Sequence, residues 1–233
     1  KKLFWQSEWQ EIKFKNIKTR KSVFNLPSSS FYSAFYSELF KKYKKFDDLP
    51  KNWLSDKRGI ANEIIKLLKS HEKILSIGCG LGFIEKEIVN KLPYLTIDAY
   101  DFANNANRWL LNIKGIKSLS SLIRKEKYKF IYCTGLLYAL TDKEINELAN
   151  FIKKHLHEDG IFLTVDTSLN SIENFGINNK IDINLNNHKN QNKLINFKYG
   201  YLDFLKDFLR PYYYLLFKKN KYQIWGWKRD NYE

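Results

Sequence analysis

The stretch Lys73-Ile74-Leu75-Ser76-Ile77-Gly78-Cys79-Gly80-Leu81-Gly82 decides the fold. Its first five residues form a short apolar run of strand length, and the glycines that follow break it. Phe83 to Lys91 then reads as a helix. Glycine lets the chain turn tightly and brings backbone close to a ligand. The carboxyl end of a parallel strand is where α/β folds place their ligands. An acid roughly twenty positions further on, at the end of the next strand, suits a ribose hydroxyl. Asp101 fills that place, nineteen positions after Gly82, and Asp98, inside the strand, is the weaker candidate. A tight turn with no ligand is the competing reading of the glycines alone. Strand, glycines, helix and acid falling in register argue against it.

Working outward, strand and helix alternate. Tyr94 to Tyr100 reads as the second strand, Asn104 to Asn112 as a helix, and Ile116 to Leu119 as a weak third strand. Tyr128 to Cys133 is the fourth strand, Asp142 to Leu156 a helix, and Gly160 to Val165 the fifth strand. This alternation predicts a parallel sheet with helices on both faces. Beyond it, Asn170 to Asn196 is an Asn-, Lys- and Ile-rich insertion with a short strand at Lys180 to Leu185, and Tyr201 to Leu209 is a short amphipathic helix. Tyr212 to Lys218 and Lys221 to Lys228 are strand-like runs joined by Lys219-Asn220, too tight a link for anything but an antiparallel hairpin.

Before the first strand the chain reads as helical and aromatic. Phe4/Trp5, Trp9 and Ile12 recur at helical spacing. Ser28-Ser29-Ser30 offers an N-cap, and Phe31, Phe35, Leu39, Tyr43 and Phe46 follow as one apolar stripe ended by Asp47-Asp48-Leu49-Pro50. Another helix is expected from Asp56 to Ser70, with Ile60, Ile64, Leu67 and Leu68 inward. The expected organisation is an N-terminal helical extension over 1–70 and an α/β domain over 71–233 with an insertion near 170–196.

The glycine spacing is G-x-G-x-G, not the G-x-G-x-x-G of the dinucleotide fingerprint. Ile74 to Gly82 resembles motif I of the class I S-adenosylmethionine-dependent methyltransferases. The resemblance continues through Thr96-Ile97-Asp98-Ala99-Tyr100-Asp101, through Tyr128 to Asp142, and through the following helix into Gly160-Ile161-Phe162-Leu163. It implies a Rossmann-like seven-stranded sheet, mostly parallel, with an antiparallel C-terminal hairpin. It implies S-adenosylmethionine as cofactor, with the backbone of Gly78, Cys79, Gly80 and Gly82 beside it. Asp101 would bind the ribose hydroxyls and Phe102 would pack near the adenine. Cys133, Thr134 and Gly135 would line the methionine side and face the acceptor. The chain departs from the family pattern at Ser76 and Lys129, where acids are usual, at Ser120 and Ser121, which stand near the usual adenine-binding acid, and at Ala139, where a histidine is common.

Methyl transfer is an in-line displacement, so the protein's work is to hold the acceptor close and exclude water. A hydroxyl acceptor gains from a base. Asp166, just after the fifth strand, is the preferred base or acceptor-orienting residue, and Tyr138 is a second candidate lining the acceptor pocket. A solvated strand-end carboxylate and a packed aromatic are their ordinary alternatives. His155 and His157 precede the fifth strand and read as cations at a helix C-terminus. His71 reads as structural, and His188 lies in the insertion. Cys79 and Cys133 read as small packed residues, not nucleophiles. Two cysteines make neither a disulfide framework nor a zinc pattern, so no metal is expected.

The 233 residues carry a net charge of +15, which invites a nucleic-acid partner. The lysines, however, are spread along the whole chain, and Lys far outnumbers the fork-forming Arg. The post-fourth-strand segment also lacks the Asn/Asp-Pro-Pro-Tyr type of motif used on base amines, and neither cysteine has the Pro-Cys context of cytosine methylation. With no membrane-length apolar run and no signal-like start, a cytoplasmic location is expected. The leading expectation is an enzyme that methylates a small polar acceptor such as a sugar or nucleotide sugar for surface polysaccharide. A noncatalytic methyltransferase-like binding subunit and an RNA-modifying methyltransferase are the alternatives. A nicotinamide-dependent oxidoreductase would continue in βαβ units instead of a hairpin.

Overall fold

The first strand of the sheet, β3 (Lys73–Ile77), is buried from Ile74 onward and sits at its centre, flanked by β4 (Thr96–Tyr100) and β6 (Tyr128–Thr134). The computed structural model describes residues 8–17, 28–68, 73–103, 105–122, 126–137, 140–166 and 223–228. Within them, β5 (Ile116–Leu119), β7 (Leu156–Asp166) and β8 (Gln223–Lys228) complete a six-stranded sheet of order β5-β4-β3-β6-β7-β8. The first five strands of that order are mutually parallel, and β8 runs antiparallel to β7, with Asp166 opposite Gln223. The antiparallel closing strand expected from the sequence is therefore present. Its expected partner, 212–218, lies outside the described residues, as do the insertion and the helix at 201–209.

Helices cover both faces, as alternating strand and helix require. On one face α2 (Lys51–Leu67) and α3 (Phe83–Lys91) bury Ile60, Ile64, Ile84 and Ile88 against Ile74, Ile97, Phe130 and Leu163. On the other, α4 (Asp142–His155) buries Ile145, Leu148 and Ile152 against Leu75, Ile131 and Phe162. A capping box starts α4: the Glu144 carboxylate accepts from the Thr141 amide at 2.7 Å, and the Thr141 hydroxyl accepts from the Glu144 amide. No helix among the described residues is long and apolar enough to cross a membrane.

The aromatic stripe before the sheet forms α1 (Ser29–Lys42), capped by the Ser28 hydroxyl, which accepts from the Phe31 amide at 3.1 Å. This helix stops at Lys42, earlier than the stripe suggested. Phe46–Asp48 forms a separate 3-10 turn, and α2 begins at Lys51, directly after Pro50, not at Asp56. Proline is well suited to precede a helix that it could not continue internally.

Two expected helices are corrected. Residues around Trp9 and Ile12 form a hairpin of β1 (Glu8–Trp9) and β2 (Ile12–Lys13), turned by Gln10 and Glu11 at φ of 51° and 58°. Trp9 and Ile12 are directly opposed across it, so a spacing of three arises without a helix. The hairpin is held by packing: Trp9 stacks on Phe35 with centroids 4.8 Å apart, and Phe14 meets Phe31 edge-on at 5.1 Å. Phe4 and Trp5 lie outside the described residues. The run after β4 likewise makes turns and a 3-10 segment, Arg108–Leu110, instead of the helix expected over 104–112. Its asparagines bond elsewhere: Asn105 donates to the Ser33 carbonyl and the Ser37 hydroxyl, both at 2.9 Å, and Asn107 donates to Ser118. Side chains that offer such partners compete with helix formation.

Phe35 is fully buried between the hairpin and the sheet's edge loops. Phe35→Ala is expected to cost about 3–5 kcal/mol of unfolding free energy, read from urea denaturation. A loss under about 1 kcal/mol would mean that α1 is not integral to the core.

Candidate functional site

The glycine turn lies at the carboxyl end of β3, between the ends of β4 and β6. Gly78, Gly80 and Gly82 all have positive φ, at 73°, 55° and 78°. The turn is stapled to β4. The Tyr100 carbonyl accepts from the Gly78 amide at 2.8 Å and from the Cys79 amide at 3.1 Å. Asp101 continues the staple: Oδ2 accepts from the Gly80 amide and Oδ1 from the Ala103 amide, each at 2.8 Å. The expected acid therefore sits beside the glycines and holds their conformation. Each carboxylate oxygen keeps a further lone pair for a ligand. Asp98, the weaker candidate, is buried in the middle of β4 and accepts from the Tyr128 hydroxyl at 2.7 Å, which makes it part of the sheet's interior.

Burial pushes the Asp101 carboxyl up from 3.8 to about 6, against the opposing pull of the Ala103 and Gly80 amides, and the nearby Glu85 adds to the rise. Burial likewise pushes the Cys79 thiol well above its ordinary value, with Glu85 and Asp101 reinforcing it. Cys79 is thus a neutral thiol, as a packed residue would be.

The ends of the neighbouring strands meet the turn. Gly135, at φ 59°, donates its amide to the Val165 carbonyl at 2.7 Å. Leu136 packs on Gly78, where an added Cβ would come within 3.0 Å of its side chain. Cys133 is buried and its thiol donates to the Thr164 hydroxyl at 3.3 Å, while Thr134 is half-buried at the strand end. Asp166 is the last residue of β7, at the same end of the sheet. Tyr138 lies outside the described residues. The structure thus brings together Gly78, Cys79, Gly80, Gly82, Asp101, Cys133, Thr134 and Gly135 at one edge of the sheet.

Helix α1 roofs this edge. Ser29 donates to the Phe102 carbonyl at 2.8 Å, and Tyr32 meets the Phe102 ring edge-on with centroids 5.4 Å apart. The Tyr36 hydroxyl lies over Gly80, 2.9 Å from where a Cβ would stand. The aromatic stripe that signals this helix is legible in the sequence, Tyr32 and Tyr36 included. Glu85 was not foreseen at all. It lies in the first turn of α3, buried, where its Oε1 accepts from the Ser76 hydroxyl at 2.5 Å and the Tyr132 hydroxyl at 2.7 Å.

The histidines stand elsewhere. Buried His155 bonds the Glu126 carbonyl at 3.0 Å and stacks on Phe151 at the end of α4, and His157 pairs with Asp159. Lys129 also pairs with Asp159, which lies by the amino end of the strands. Among the described residues no group of three or more His, Cys, Asp or Glu is placed to hold a metal.

No family profile matches the chain, and no curated protein matches it in sequence. Solved structures do. It is similar to the precorrin-6y C5,15-methyltransferase of Geobacter metallireducens, at 13% identity over 53% of this chain and 68% of that one, with a TM-score of 0.43. It is similar to human N-acetylserotonin methyltransferase in complex with SAM, at 14% identity over 61% and 39% of the two chains, with a TM-score of 0.44. It is also similar to the plantazolicin methyltransferase BpumL in complex with a monoazolic desmethylPZN analog and SAH, at 20% identity over 63% and 56%, with a TM-score of 0.41.

Two predictions follow from the turn. Gly82→Ala is expected to cost about 3 kcal/mol or more, because the residue has φ 78° and its Cβ would stand 2.2 Å from buried Leu110. Gly59→Ala in α2 has open space and should be neutral or stabilising by up to about 1 kcal/mol; equal effects in urea denaturation would refute the packing argument. The second concerns pH. Between 3.8 and about 6, folded Asp101 keeps a proton that the unfolded chain has lost, so its contribution to stability falls as pH rises through that window. Relative to Asp101→Asn, the wild type should lose about 3 kcal/mol between acid and neutral pH, and a parallel pair of stability profiles would contradict the shift.

Proposed function

We propose that the chain is an S-adenosylmethionine-dependent methyltransferase acting on a small polar acceptor of the sugar or nucleotide-sugar class. The observation that carries the reading is the glycine turn at the end of β3, stapled by Asp101 from the end of β4, in a parallel sheet closed by antiparallel β8. A nicotinamide-dependent oxidoreductase built from repeated βαβ units lacks that closing strand.

The residues present fit such a cofactor. The glycines make a cradle that a side chain would fill: at Gly80 a Cβ would strike the Tyr36 hydroxyl. The free lone pairs of Asp101 suit ribose hydroxyls, and the Phe102 ring, with Tyr32 against it, offers an apolar surface suited to adenine. Bound there, the cofactor would supply an electrophilic methyl group on a sulfonium. The remaining work falls to the chain. Cys133, Thr134 and Gly135 would border the methyl-bearing side, and Asp166 and Tyr138 would orient the acceptor, Asp166 taking the proton of a hydroxyl. The roof of α1 would keep water from the reacting atoms. Three features support a polar acceptor rather than RNA: the Asn-rich sequence of 170–196 after β7, the scatter of the lysines, and the absence of base-amine motifs.

Titration calorimetry with S-adenosylhomocysteine tests the cofactor. The wild type should bind, and Asp101→Ala should bind about 10- to 100-fold more weakly while remaining folded by circular dichroism. A folded wild type that does not bind would overturn the enzyme reading. Transfer of labelled methyl from S-adenosylmethionine to nucleotide sugars, and not to RNA, is the result expected for the acceptor; labelled RNA alone would overturn that part.

A further inference from the structure

Within the glycine turn the amides of Gly78, Cys79, Gly80 and Gly82 are all bonded to the protein, to Tyr100, Asp101 and the Cys79 carbonyl. These amides are therefore committed, and the turn is unlike the glycine loops whose free amides cradle phosphate. Two acids stand close by. Asp101 stands on one side, and Glu85 lies near enough to raise both the Asp101 carboxyl and the Cys79 thiol.

Glu85 is lopsided. The Ser76 and Tyr132 hydroxyls both converge on Oε1, while Oε2 is buried and, among the described residues, has no hydrogen-bond partner. Burial pushes the carboxyl above its usual 4.5, opposed by those two hydroxyls, its own backbone and the charge of Lys57. A buried polar atom left without a partner is costly, and a cationic donor is the partner that relieves it best. The first turn of a helix, where Glu85 sits, favours the charged form of a carboxylate.

We propose that Glu85 is a ligand-binding residue: its unpartnered Oε2, in the first turn of the helix that follows the glycine turn, accepts the α-ammonium group of the amino-acid portion of the cofactor. Through the Ser76 hydroxyl, the carboxylate that position 76 lacks is supplied from α3 across space. This rests on the methyltransferase reading.

The test compares two ligands that share the adenosine and thioether: S-adenosylhomocysteine carries the amino-acid portion with its ammonium and carboxylate, and 5′-methylthioadenosine carries a methyl group in its place. Calorimetry on the wild type should show binding of both. Glu85→Gln should lose about 10-fold or more in affinity for S-adenosylhomocysteine and nothing for methylthioadenosine. Adding Ser76→Asp to Glu85→Gln should restore part of the loss. Equal weakening for both ligands, or none for either, would overturn the role of Glu85 while leaving the cofactor reading standing. Wild type that binds neither ligand would overturn both. Should Glu85→Gln fail to fold, the wild type alone decides. Titrated at mildly acidic pH in two buffers of different ionisation enthalpy, it should release more protons on binding S-adenosylhomocysteine than on binding methylthioadenosine. Equal release would refute the contact.

Discussion

The Asp101 carboxylate is the constraint on which the site depends. It joins two strand ends that the sheet alone would leave as separate loops, with one oxygen on the glycine turn and the other on the segment entering the next crossover. The cost is visible in its raised pKa, since two amides do not replace the water that burial removed. A carboxylate held this way is preorganised, because its position is set by backbone before any ligand arrives. The same feature makes it sensitive. A change that frees Gly80 also frees the acid, so the turn and the acid act as one unit.

Helix α1 depends on that unit in turn. Its polar anchors reach the segment that Asp101 orders: Ser29 bonds the Phe102 carbonyl, and Asn105 bonds the Ser33 carbonyl and Ser37 hydroxyl. Its apolar face packs on Leu81, Ala103, Ala106 and Leu110 from the same two loops. The aromatic stripe is thus a core element and a roof at once. The hairpin at Glu8–Lys13 then closes the stripe from outside, through Trp9 and Ile12. Stability and access to the glycine turn are coupled here, because the rings that cover the turn are also the rings that bury the N-terminal segment.

Much of this was legible because it is local. The glycines demand a turn, the apolar run before them demands a strand, and Phe83–Lys91 forms the helix that its pattern demanded. Ile116–Leu119 is likewise the expected strand, although only its pairing with β4 makes it one. The failures share a cause. Trp9 and Ile12 are three apart both on a helix face and across a two-residue hairpin turn, and only Phe35 and Phe31, some twenty residues on, decide between them. The run 104–112 has helix-compatible residues, yet Asn105 and Asn107 take partners on α1 and β5 that no local pattern reveals. At the site, Asp101 was readable from its distance to the glycines. Glu85 was not, because its significance lies in a contact with Ser76 and Tyr132 rather than in any spacing.

That contact also changes how the departures from the family pattern should be weighed. Serine at position 76 and lysine at position 129 look, in sequence, like lost acids and hence like a lost site. In space they are different cases. Lys129 pairs with Asp159 at the amino end of the strands, away from the turn, where its charge bears on sheet-edge solvation. Ser76 lies against a buried carboxyl that another helix provides. An acid missing from a motif therefore counts against function only if no neighbouring element returns the charge. Here α3 returns it within hydrogen-bond distance. The +15 net charge bears on none of this: it is a property of the whole surface, while Asp101 and Glu85 are both buried.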